Sequence, residues 1–253
     1  MSRRLPGGNE QSLQQFVNQS PWAHEPLQQG LIKYAIDEGL TRSGGVLVLD
    51  DTTLPKKGKH SVGVGRQYCG ALGKVANCQS VVSWQYASNA SHHFPLLGEL
   101  YLPQSWCDSP DRLSQAGVPD EKQGFRKKWE IALSLLDQIT TLNIPYDALV
   151  FDAGYGEIRP FLHKLDARGE CFVAQIPESH CFWPVDIPVT IEQPKTGRRR
   201  RYPVVTDKQQ KALSASQWHK RLLKQGFQWQ KVPLSLQSQT HTHAIACPFG
   251  KAV

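Results

Sequence analysis

Residues 45–51 read Gly-Val-Leu-Val-Leu-Asp-Asp, a continuous apolar run that ends in two carboxylates. Its Val and Leu content predicts a strand buried on both faces. Its acidic end lies where α/β sheets place their sites, beyond a strand C-terminus. Ala148–Asp152 repeats the pattern, four apolar-rich positions and then an Asp. Val62–Cys69 and Cys78–Ala87 are further strand candidates, parted by the turn region Gly70–Gly73. These two and the first strand are expected to be antiparallel neighbours. Gln123–Leu142 places Phe125, Trp129, Leu133, Leu136 and Ile139 at i+3/i+4 spacing and predicts a helix. Glu157–Ala167 reads as a second helix, with Pro160 in its first turn. Cys171–Ile176 reads as another buried strand. The expected order is β-β-β-α-β-α-β.

Upstream of this core, Gln11–Asn18 and Leu27–Glu38 read as two short helices. In the second, Leu27, Leu31, Ile32, Ala35 and Ile36 fall on one face, and Gly39 suits a C-cap. Tyr101–Pro119 reads as loop. Beyond Pro177, the residues Pro184, Pro188 and Pro194 and the run Gly197-Arg-Arg-Arg-Arg201 predict a basic, loop-rich and β-rich insert. Ser214–Lys224 suits a short helix and Thr240–Ala246 a strand. The expected division is an N-terminal helical segment at 1–43, a catalytic core at 44–177 and the basic insert at 178–253.

The composition narrows the classes. Hydrophobic residues make up 40% of the 253, enough for a core and against disorder. No apolar run approaches the roughly 18 residues that span a bilayer. Residues 1–10 are polar and basic with no apolar stretch behind them, against a signal peptide. The expected location is therefore the cytoplasm, without membrane association. Six cysteines lack CxxC or zinc spacing, which favours reduced thiols. Cys69 and Cys78 flank a turn and could approach each other. The formal charge of +7 is uneven: residues 195–231 hold eleven Lys/Arg against Asp207 alone. A polyanionic partner follows naturally.

Asp51 and Asp152 are the candidate chemical groups. Carboxylates from adjacent strands can converge on Mg²⁺, a hard cation that takes oxygen ligands. Two such ions, about 3.5–4 Å apart, can activate water and hold the leaving oxygen of a phosphodiester. Either Asp alone could instead cap the turn that follows it. Two of them in this strand order favour chemistry, because the order is that of the RNase H-like fold, an α/β fold on a mixed sheet.

The block Leu49–Gln79 (LDDTTLPKKGKHSVGVGRQYCGALGKVANCQ) resembles the DDE transposases of bacterial insertion sequences, in particular the insertion-sequence 701 family. So do Tyr101-Leu-Pro-Gln-Ser-Trp106, Ala116-Gly-Val-Pro119 and Phe151-Asp-Ala-Gly-Tyr-Gly156. The similarity runs from about Phe16 to the C-terminus. The resemblance implies an endonuclease that uses two Mg²⁺ (or Mn²⁺) ions to cleave transposon ends and transfer the strand in DNA transposition, a form of DNA recombination. Water and then a DNA 3′-hydroxyl would be the nucleophiles. The implied partner is double-stranded transposon-end DNA, on the nucleoid when bound, and a homodimer is compatible with it.

Carried over, Asp51 matches the first catalytic, metal-binding carboxylate and Asp152 the second. Asp50 and Asp51 must face opposite sides of a strand. The resemblance favours Asp51, which stands directly before a Thr. The family's third carboxylate, a Glu in a Tyr-x2-Arg-x3-Glu helix, has no counterpart here. Glu157, five residues after Asp152, is the nearest substitute. The resemblance thus implies a chain shortened at its C-terminus, with little or no cleavage activity alone. The alternative function is a catalytically incomplete fragment that binds DNA without cutting it. A metal nuclease unrelated to transposition would need a third ligand from elsewhere.

Lys56, Lys57 and Lys59 follow the first Asp closely and suit a DNA backbone approaching the site. Arg198, Arg199, Arg200 and Arg201 could track phosphates or form an exposed turn. Trp183, Trp218 and Trp229 could stack on bases or fill a small β core. His92-His93 on a strand would point oppositely, against a shared metal. Gly63-x-Gly65 lacks the third Gly and the helix of a dinucleotide site.

Overall fold

The computed structural model describes residues 9–20, 23–90, 92–184, 187–190, 193, 196–197, 199, 204–207 and 211–226. Contacts divide the chain into two compact units, Met1–Ala174 and Gln175–Val253.

The first unit is built on a mixed sheet of six strands: β1 (Gly45–Pro55), β2 (Gly65–Cys69), β3 (Lys74–Ser88), β4 (His93–Leu100), β5 (Ala148–Phe151) and β6 (Phe172–Ala174). β1 runs past its two aspartates, because Thr52 and Thr53 suit a pleated backbone. One side of β1 pairs antiparallel with β3, with Asp50 opposite Ser83 and Asp51 opposite Val82. The other side pairs parallel with β5, with Leu49 opposite Phe151. β6 extends the parallel half beyond β5. β2 and β4 share the outer edge of β3, β2 on its first residues and β4 on its last.

β4 lies where no strand was expected, and it is the fourth antiparallel strand where three were expected. It pairs only with β3, so Pro95 sits on an edge, where a missing N–H costs little. The register shifts between Trp84 and Gln85, opposite this proline.

The helices are α1 (Glu10–Gln19), α2 (His24–Asp37), α3 (Gln104–Cys107), α4 (Pro110–Gln115), α5 (Lys128–Thr141), α6 (Ala153–Gly156) and α7 (Arg159–Ala167). α5 starts five residues later than its apolar stripe suggested, and Phe125 is exposed. The residues before it are engaged otherwise: Arg126 pairs with Glu99 of β4, and Lys127 is the N-cap. The helix expected at Glu157–Ala167 begins instead at Arg159, after the single turn of α6. On α2 only Ile32 and Ala35 of the expected stripe are buried; Leu27, Leu31 and Ile36 are exposed.

One face of the sheet carries the core. Leu47 and Leu49 of β1 and Val82, Trp84 and Tyr86 of β3 pack with Ile131, Leu135, Leu136 and Ile139 of α5 and Phe161 and Leu165 of α7. Trp84 Nε1 donates to the Ala132 carbonyl at 2.8 Å, which fixes α5 against the sheet. The segment read as loop after Tyr101 holds α3 and α4, closed on a small separate cluster of Val64, Leu102, Trp106 and Leu113. Gly63 belongs to this corner: its φ is +72, and a Cβ there would lie 2.8 Å from the Tyr101 carbonyl. Backbone geometry accounts for that glycine. The arrangement is mixed α/β around a central mixed sheet and fits an RNase H-like fold.

The second unit holds two short ladders among its described residues, β7 (Cys181–Phe182) with β10 (Leu213–Ser214), and β8 (Val189–Thr190) with β9 (Val204–Val205). α8 (Ala215–Lys224) starts at a capping box formed by Ser214 and Gln217. The expected strand at Thr240–Ala246 lies outside the described residues.

Candidate active site

Strand alternation sorts the carboxylates by side of the sheet. Leu47, Leu49 and Asp51 share the packed side of β1, and Asp50 emerges on the other. On β5, Leu149 and Phe151 face the core, so Asp152, next in an extended backbone, emerges on the side of Asp50. Leu49 stands opposite Phe151 in the last pair of the parallel register, and Asp50 and Asp152 are the next residues, Asp152 lying beyond the end of β5 as the N-cap of α6. Their electrostatics agree. Partial burial raises the Asp50 carboxyl above the usual range, and the Asp152 and Asp51 carboxylates raise it further, against the Asp51 N–H that lowers it. That N–H donates to Asp50 Oδ1 at 2.7 Å. Asp152 also caps α6, accepting from the Tyr155 N–H at 3.3 Å.

Asp51, expected to meet Asp152, is engaged on the packed side. Its Oδ2 forms an ion pair with Lys128 Nζ at 2.7 Å, and its Oδ1 accepts from the Tyr155 hydroxyl at 2.7 Å. Lys128 opens α5, where a cation works against the helix dipole, and the Asp51 carboxylate offsets this. Burial and then the Asp51 carboxylate drive the Tyr155 phenol far above its ordinary pKa, so it stays a donor. Neither Lys128 nor Tyr155 was singled out from sequence. Tyr155 carried a faint signal, three residues after Asp152 in the stretch Phe151–Gly156; Lys128 carried none.

Tyr155→Phe should therefore lower stability by about 1.5–3 kcal/mol, the range for a hydrogen bond to a charged group. Urea unfolding measures it, and a change below about 0.5 kcal/mol would mean that water replaces the phenol.

Two carboxylates on one face offer the hard oxygen donors that a divalent cation takes, so the pair fits such an ion. Among the described residues no group of three His, Cys, Asp or Glu side chains could hold a metal ion. Glu157 is exposed and lies between α6 and α7.

The lysine loop is pinned over the same side of the sheet. Asn77 and Gln79 stand on the Asp50 side of β3, since Asp50 pairs with Ser83. Asn77 Nδ2 donates to the carbonyls of Lys56 and Gly58, each at 2.8 Å. Gln79 Nε2 donates to the Val62 carbonyl at 2.6 Å. Arg112, stacked on Trp106, holds the Lys59 carbonyl. The backbone is thus fixed while the side chains of Lys57 and Lys59 stay exposed and that of Lys56 is half-buried.

Of the arginine run, Arg199 is exposed, and Arg198, Arg200 and Arg201 lie outside the described residues, as does Trp229. Trp218 Nε1 donates to the Phe182 carbonyl within its unit, and Trp183 is exposed. His92 and His93 are exposed. Cys69 and Cys78 are buried and free.

The family model of the DDE superfamily endonucleases matches residues 1–240, and the chain belongs to this family. It is also similar to a protein of Microchaete diplosiphon described as "Probable transposase for insertion sequence element IS701", with 29% identity over 173 residues. That match covers 68% of this chain and 42% of the relative, so the chain spans about two fifths of the length of this curated relative. No helix among the described residues is long and apolar enough to cross a membrane.

Proposed function

We propose that the chain is the catalytic-core portion of an insertion-sequence transposase and acts on the DNA at transposon ends. What supports this is membership of the DDE endonuclease family, together with a parallel register of β1 and β5 that ends at Leu49 and Phe151, the residues directly before Asp50 and Asp152. In this reading Asp50 and Asp152 hold a divalent cation, Mg²⁺ or Mn²⁺, and Asp51 positions them. The bound cation would polarise the scissile phosphodiester and lower the pKa of an attacking water. Asp50 and Asp152 orient the ion through oxygen donors. Asp51, clamped by Lys128 and Tyr155, fixes β1 against α5 and α6, from whose first turns those two residues reach. Lys56, Lys57 and Lys59 attract the phosphate backbone, and Arg198–Arg201 are proposed to add to that attraction from the second unit.

A second reading is favoured by a specific observation: no third acidic ligand joins the pair among the described residues, and the sequence has no Tyr-x2-Arg-x3-Glu. The chain would then bind transposon ends without cutting them. Incubation with the element's terminal repeats in Mg²⁺ and in Mn²⁺ separates the two. Cleavage that disappears in Asp50→Ala and Asp152→Ala supports the enzyme. Salt-sensitive binding without cleavage supports the incomplete form. Cleavage indifferent to both substitutions would sink the site.

A further inference from the structure

The β2–β3 hairpin carries a surface that the proposed site does not use. Its turn, Gly70–Leu72, folds back toward β1: the Ala71 N–H donates to Thr53 Oγ1 at 3.3 Å. Cys69 and Cys78 are buried beneath the bend. Thr53 is three residues beyond Asp50, so the turn lies roughly 10–15 Å from the carboxylate pair, at about 3.3 Å per strand residue.

The outward side of this bend is apolar and open. Tyr68 and Val75 face each other across the two strands and are 63% and 55% exposed. Leu72 at the turn is 48% exposed. An aromatic and two aliphatic side chains left together in water mark a contact surface rather than a core. The lysine loop borders this face, held by Asn77, which pairs with Arg66. Residues 52–80 contain five Lys or Arg (Lys56, Lys57, Lys59, Arg66 and Lys74) and no Asp or Glu. Arg66 shares the outward face with Tyr68, whereas Lys74, paired with Cys69, belongs to the other face at the turn.

Arg66 on this face and the lysine loop beside it disfavour a second copy of the same patch and suit a phosphate-bearing partner. The width of a two-stranded ribbon also matches the B-DNA major groove, about 12 Å. We propose that this hairpin is a duplex-DNA contact that seats the flank of the substrate, three to four base pairs from the cleaved phosphate at about 3.4 Å per pair. Arg66 meets the backbone, and Tyr68, Leu72 and Val75 pack against sugars and base edges. The proposal rests on the reading of the chain as a DNA-acting protein.

The test uses the full chain and a fluorescein-labelled 30-base-pair duplex, followed by anisotropy across a salt series. Two variants are compared, Arg66→Ala/Tyr68→Ser/Val75→Ser and the single charge reversal Arg66→Glu, with Mn²⁺ binding measured on each. The triple variant should bind the duplex about tenfold more weakly, and its slope of log K on log salt should fall by about 1, for one lost phosphate contact. Mn²⁺ binding should be unchanged, because the hairpin does not touch Asp50 or Asp152. Arg66→Glu, whose exposed side chain leaves the fold intact, should weaken binding at least as much as the loss of one contact. Unchanged affinity and slope in both variants overturn the proposal while leaving the catalytic reading standing. A change in sedimentation with unchanged DNA affinity also overturns it and makes the patch a protein interface. Absence of duplex binding by the unmodified chain overturns the hairpin contact, and loss of Mn²⁺ binding as well would remove the catalytic reading with it.

Discussion

Asp50→Ala and Asp152→Ala should each weaken Mn²⁺ binding on the order of 100-fold or more, the upper end of what even an outer-sphere partner of a metal ligand costs. Any strand cleavage should fall on the order of 100-fold or more with it, since the attacking and leaving oxygens lose their alignment. Asp51→Asn should behave differently. It breaks the ion pair with Lys128 and leaves Tyr155 facing a weaker acceptor, so the expected loss is about 1–3 kcal/mol of stability. Mn²⁺ affinity should stay within about threefold. Titration calorimetry with Mn²⁺ on the three variants, beside urea unfolding, separates the roles. If Asp51→Asn loses the ion and Asp50→Ala keeps it, the assignment drawn from the resemblance is correct and the one drawn from strand parity is not.

The second large effect is structural. Trp84 is fully buried at the centre of the core face and donates to the Ala132 carbonyl of α5. Trp84→Ala should cost about 3–5 kcal/mol, from lost transfer energy and the cavity left between sheet and helix. For a unit of this size that lowers the unfolding midpoint by roughly 6–20 °C, at roughly 2–4 °C per kcal/mol. Trp84→Phe keeps most of the packing and removes only the donor, so it should lose about 1–2 kcal/mol. A calorimetric scan of both variants checks the order. A Trp84→Ala midpoint within a degree of the parent would mean that the sheet does not depend on α5 at this point.

The residues that betrayed the fold were those whose burial leaves no choice of partner. Leu47 and Leu49, and Leu149 and Phe151, sit on strands flanked on both edges, and such strands read as plain apolar runs. For the same reason parity was invisible there. Val46 and Val48 alternate with Leu47 and Leu49, so hydrophobicity does not say which side faces the core. The choice between Asp50 and Asp51 follows only from the register with β5, a long-range fact. β4 was hidden by Pro95, which cannot donate to a ladder and is tolerated there only because the strand is an edge. The onset of α5 depended on Glu99, a distant residue that pairs with Arg126. Lys128 became visible as part of the site only through its contact with Asp51, 77 positions away in sequence.

The parallel pairing of β1 with β5 also bears on how the protein is born. β1 to β4 are contiguous, so the antiparallel half of the sheet can form while the rest of the chain is still on the ribosome. Asp152 emerges about 5–20 s after Asp51 at roughly 5–20 residues per second. The Tyr155 hydroxyl that holds Asp51 bridges 104 positions and arrives later still. Through that interval the nascent chain has one edge of β1 unpaired and its acidic residues unmatched, and pairing at this separation is slow to close. The nascent protein is therefore most exposed to aggregation, and least capable of chemistry, in the window before α6 leaves the exit tunnel.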